Sequence, residues 1–129
     1  MPDILVEVRG SWLGARKRSF LLAIHDAVIE ALKSDPEDKV VRLIEHASVD
    51  FLIPAQASDR FTHIEITQFV GRSIDTKRML YRAMVRHLEP FGISAHDIKI
   101  VLKEVPLANV GMRGGRAACD IDISYDIQV

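Results

Sequence analysis

A single cysteine, a single tryptophan and two tyrosines in 129 residues rule out several ways of building and using a small protein. Cys119 alone cannot close an internal disulfide, so this is no stapled scaffold, and a reducing cytoplasm suits it. Neither sign of charge dominates: 17 Lys and Arg stand against 18 Asp and Glu, a net charge of -1. The basic field that nucleic acid or an anionic membrane surface attracts is therefore missing. No apolar run approaches the roughly 20 residues of a membrane-spanning helix. The opening Met-Pro-Asp-Ile-Leu-Val-Glu carries acids at Asp3 and Glu7 and has no secretory pattern. His25, His46, His63, His87 and His96 fall at no metal-ligand spacing, and no metal or other cofactor is expected. The glycines at 111, 114 and 115 lack the Gly-Lys-Ser/Thr ending of a phosphate loop.

What is present is an ordinary globular balance, 48% hydrophobic and 27% charged, in one domain over residues 1–129. Its pattern runs twice, in pseudo-repeats 2–58 and 59–129. In the first, Ile4, Val6 and Val8 share a strand face, and residues 13–33 read as a helix. The buried stripe of that helix is Phe20, Ile24, Ala27, Val28, Ala31 and Leu32. Asp35-Pro36 breaks the helix, and residues 40–46 form a second strand.

The second repeat gives a strand at 64–67, a Gly71-Arg72-Ser73 turn with Ser73 as N-cap, and a helix at 74–89. Leu80, Ala83, Met84, His87 and Leu88 share one face of that helix, Gly92 ends the segment, and residues 98–104 form the matching strand. Placing Ile4 on Ile64 puts Lys17-Arg18 on Lys77-Arg78, then, after one deletion, Asp38 on Asp97 and Glu45 on Glu104. The fold class predicted is α+β, two β-α-β units sharing a four-stranded sheet with both helices on one face. The opposite face should be bare and apolar, which favours oligomers. Residues 118–129 alternate apolar and polar like a strand able to pair with a neighbouring subunit, and 47–61 read as a linker and active-site loop.

A proline at position 2, a strand directly after it and this duplication resemble the tautomerase superfamily. Gly71-Arg72-Ser73-Ile74-Asp75-Thr76-Lys77 is similar to the strand-to-helix turn that carries a substrate-binding arginine in 4-oxalocrotonate tautomerase, and Asn109-Val110-Gly111-Met112-Arg113-Gly114-Gly115 to that family's glycine-rich turn. Length, and Asp38 ahead of the second strand, bring the chain nearest the malonate semialdehyde decarboxylase branch. Two positions depart from the pattern. Val70-Gly71-Arg72 supplies one arginine where that branch has two, and Val110 stands where relatives carry an aromatic wall.

The resemblance implies catalysis by Pro2 once Met1 is removed, since an acylated nitrogen is an amide and no base. A free α-amine titrates at about 7.7–8.0. Apolar neighbours such as Phe69 and Val110, with the cation of Arg72, would lower that value. The neutral amine would move a proton α to a carbonyl. Arg72 would hold a small carboxylate substrate and Asp38 would orient water or substrate, with Arg113 or Arg116 as further candidates for lining the pocket. Three functions stay open: a cofactor-independent tautomerase of a 2-oxo or enol acid; a decarboxylase or hydratase using Pro2 as acid and Asp38 to activate water; and a silent binding member. A homotrimer is the assembly the resemblance implies. Trp12, at the counterpart of Arg72, is read as a packing or subunit-contact residue, and Asp38 can also be read as turn chemistry.

Overall fold

Alternating burial along Asp3–Arg9 makes β1: Ile4, Val6 and Val8 are fully buried and the residues between them are not. A 3-10 turn at Gly14–Arg16 then leads into α1, Lys17–Leu32, so the helix expected from residue 13 begins later. Its end is set by Lys33, which takes a left-handed conformation (φ 57°) and donates its N–H to Ile29 O, ahead of the Asp35-Pro36 break. β2 is Val40–His46, β3 is Thr62–Phe69, α2 is Ile74–Leu88 and β4 is Ile98–Val105. A short hairpin of two-residue strands, β5 at Gly111–Met112 and β6 at Arg116–Ala117, follows. The computed structural model describes residues 1–123.

The sheet order is β2-β1-β3-β4, with β1 and β2 parallel, β3 and β4 parallel, and the two halves joined antiparallel through β1 and β3. Both helices pack on one face, where Ile4, Val6, Ile64 and Ile66 meet Phe20, Ile24, Val28, Leu80, Met84 and Leu88. The repeat is also legible in ion pairs. Lys17 Nζ meets Glu45 Oε1 at 2.7 Å, and their second-half counterparts Lys77 and Glu104 meet at 2.7 Å.

Three expectations are corrected. The helix-free face is mixed rather than apolar: Leu5 lies between Arg42 and Glu65, and Glu7 between Ile44 and His63. Lys103 Nζ is 3.0 Å from Glu65, and His46 Nε2 is 2.6 Å from Glu7. Interspersed charge keeps so broad a face from being one continuous apolar patch. Residues 118–123, expected as the start of a strand, form a 3-10 turn at Ala118–Asp120 and an irregular stretch after it, because the hairpin turns the chain back on itself; residues 124–129 of that expected strand lie outside the described residues. His87, expected on the buried face of α2, is half-buried with Nε2 3.1 Å from Glu30, since an imidazole facing a carboxylate is better placed at the rim than in the core.

Candidate active site

The antiparallel pairing of β1 with β3 decides what surrounds Pro2. Asp3 pairs with Thr67, so one step on Pro2 lies across from Gln68, and two steps on Met1 lies across from Phe69. Parallel pairing of β1 with β2 sets Asp3 beside Val40, so the same two steps bring Met1 to Asp38. The C-terminal ends of β3 and β4 therefore meet the start of β1, and their loops converge there.

Pro2 is buried, and Met1 is only 6% exposed. The Met1 side chain packs with Phe69 and Ala118, each 1% exposed, and Val105, Leu107, Val110 and Met112 close around them. The Met1 amine donates to Asp38 Oδ2 in an ion pair. Asp38 is held by a turn in which its N–H donates to Asp35 O at 3.1 Å and Glu37 N–H donates to Asp35 Oδ1 at 2.9 Å. Turn chemistry and proximity to the chain start are thus both present at Asp38.

Arg72 reaches the same end of the sheet through a conformation that glycine permits. Val70 N–H donates to Val105 O at 3.1 Å, and Gly71 then takes φ 130°, which turns the chain sharply before α2. Arg72 is 6% exposed and donates from Nη1 to Phe69 O at 3.4 Å. Ser73 caps α2 by accepting from Thr76 N–H at 3.2 Å, worth about 1 kcal/mol. Beside this turn Gln68 is 1% exposed, and among the described residues neither of its amide atoms has a hydrogen-bond partner.

The glycine-rich turn closes the site. Arg113, Gly114 and Gly115 all have positive φ (49°, 88° and 85°), which folds β6 onto β5 and lets Ala118 N–H donate to Val110 O at 2.8 Å. Phe69 and Val110 thus pack with Met1, Asp38 pairs with its amine, and Arg72 sits on the carbonyl of Phe69. Arg113 is exposed on the hairpin, with Nη1 on Asp122 O at 3.3 Å, and Arg116 likewise binds Asp120 O at 3.0 Å. Residues 47–61 are at the other end of the sheet, because Thr62 pairs with Val8 and the loop precedes it. There Pro54, Gln56, Ala57 and Ser58 border a cleft of about 570 Å³ with His96 and Asp97. Asp97, the counterpart of Asp38, accepts from Ser58 N–H at 2.9 Å and from its hydroxyl. Trp12, the counterpart of Arg72, packs edge-on to Phe20 at 6.2 Å under the Arg60 guanidinium.

Met1, Gln68 and Ala118 are the site neighbours that sequence reasoning missed. Continuing the strand register would have found the first two, while Ala118 needed the hairpin's return. Among the described residues no group of three or more His, Cys, Asp or Glu is placed to hold a metal ion, and no helix is long and apolar enough to cross a membrane.

Solved structures share the fold. Malonate semialdehyde decarboxylase, described with decarboxylase and hydratase activities, superposes with TM-score 0.84 at 22% identity, over 94% of this chain and 100% of that one. A second malonate semialdehyde decarboxylase, inhibited by 3-bromopropiolate, gives 0.84 at 24% identity over 95% and 99%. A fused 4-OT, described as a wild-type symmetric trimer, gives 0.78 at 23% identity over 92% and 97%. The family model described as tautomerase enzyme matches residues 38–113, more than half of the chain, so the chain belongs to the tautomerase family.

Proposed function

We propose that this protein is a tautomerase of small 2-oxo or enol carboxylic acids, with Pro2 as general base after Met1 is removed. The observation that supports the reading is the buried chain start, with Asp38 on the Met1 amine and Arg72 on the carbonyl of Phe69, whose side chain packs with Met1. A neutral secondary amine there takes a proton from the carbon α to the carbonyl and returns it at the other end of the enol system, which requires no cofactor. Arg72 holds the carboxylate or the developing enolate oxygen, and burial strengthens that attraction. Phe69 and Val110 wall the substrate. Asp38 hydrogen-bonds its polar end.

One observation favours a second reading. The Asp38 carboxylate sits against the chain-terminal amine, which suits hydration or decarboxylation with a cationic Pro2 as acid and Asp38 activating water. Both relatives described as malonate semialdehyde decarboxylases lend this support. The separating experiment incubates protein of verified mass, lacking Met1, with 2-oxo and 3-oxo acids in deuterated buffer. Deuterium entering the α-position of a 2-oxo acid without loss of carbon dioxide supports the tautomerase, and release of carbon dioxide from a 3-oxo acid supports the alternative. We further propose a homotrimer, supported by the trimeric fused 4-OT of similar fold and by the open outer edges of β2 and β4. Light scattering giving a monomer at micromolar concentration would contradict it.

A further inference from the structure

Met1 occupies the site in a way that reports what the site accepts. Its acyl carbon is bonded to the Pro2 nitrogen, where a substrate carbon must come to exchange a proton with a freed amine. Its amine touches Asp38, and its side chain fills the space among Phe69, Ala118, Val105, Leu107, Val110 and Met112. That side chain is unbranched and about four heavy atoms long. Arg72 is the sole lysine or arginine buried among the described residues, and its Nη1 is on the carbonyl of Phe69, whose side chain borders this space. Arg113 and Arg116 are exposed and hold carbonyls of the following segment.

We infer that the volume filled by Met1 is the binding pocket for the substrate's tail, so the preferred substrate is a monocarboxylate with an unbranched apolar chain of about four heavy atoms rather than a dicarboxylate. This rests on the proposed site but not on its chemistry. With Arg72 taken by the first carboxylate, a second one at the far end would be buried beside apolar walls with no other buried lysine or arginine among the described residues to meet it. A hydroxyl, as in an enol, replaces the amine of Met1 at Asp38.

The test is calorimetric binding of unreactive acids to protein whose mass shows loss of Met1. Affinity should rise about fourfold per methylene from propanoate to hexanoate and then level off, and hexanoate should bind at least tenfold more tightly than adipate. Ala118→Leu, which fills the pocket, should remove the dependence on length. Val110→Arg, at a half-buried position that tolerates a long side chain, should turn the preference toward adipate. Equal or tighter binding of adipate, or affinity independent of length in the unsubstituted protein, overturns the inference. Deuterium exchange into 2-oxohexanoate is followed in the same sample: if hexanoate is preferred but no exchange occurs, the pocket stands and the role of Pro2 as base fails.

Discussion

The amine of Met1 donates to the carboxylate of Asp38 across the parallel pair of β1 and β2. Two residues 37 apart meet because parallel strands start side by side, so whatever precedes one strand lies beside whatever precedes the other. The second half repeats the arrangement at the opposite end of the sheet with Asp97 and Ser58, where a backbone N–H and a hydroxyl replace the amine. The aspartate position is therefore structural in both halves and faces a chain terminus in one.

Asp38→Asn in the protein retaining Met1 should lower stability by about 0.5–1 kcal/mol, the small figure reflecting a carboxylate about one-third exposed to water. Urea unfolding checks it. In protein lacking Met1 the same substitution should raise KM for α-proton exchange while exchange persists at saturating substrate, and should abolish any hydration, which divides the two proposed reactions.

Arg72→Ala should cost on the order of 2–4 kcal/mol in kcat/KM for a carboxylate substrate. Arg72→Lys should recover only part, since an ammonium cannot grip a carboxylate with two parallel hydrogen bonds. Steady-state kinetics of both variants decide it, and unchanged values would move the anion site elsewhere.

Gln68→Leu should stabilise the protein by about 1–3 kcal/mol, because a buried amide without hydrogen-bond partners among the described residues is replaced by an apolar side chain of similar length. Thermal unfolding checks this, and a lower Tm would mean that the amide is paired in solution.

Glu30 bridges the two helices. Hydrogen bonds from Arg86 and then from His87 hold its carboxyl below the ordinary carboxylate value. A depressed folded-state value stabilises the protein above the unfolded value and ceases to do so as pH falls through the folded one. Glu30→Gln should therefore lower the Tm slightly at neutral pH and not at all at a pH below the folded-state titration. A difference that persisted there would assign the effect to packing.

Much of this was legible in the sequence for definite reasons. Val40–His46 matches its expected bounds, and Ser73 caps α2 as its place before the apolar run required. Aligning Ile4 with Ile64 also paired two ion pairs and two aspartates correctly. What escaped depended on pairing between distant segments. Nothing in 47–61 says which end of the sheet it occupies; the antiparallel junction of β1 with β3 does. Period-two alternation after Ala118 fits a strand, but three positive φ values at 113–115 carry the chain back over Val110. Arg113 belongs to that return, where it is exposed with Nη1 on Asp122 O.

The central claim is that the Pro2 nitrogen is the working base, and one comparison tests it most directly. Two samples, one shown by intact mass to lack Met1 and one to carry it, are assayed for α-proton exchange of a 2-oxo acid across pH. The account predicts exchange in the first sample alone, with kcat/KM rising through a single amine ionisation, and none in the second, where the Pro2 nitrogen is an amide. Equal exchange in the sample that retains Met1 would contradict it.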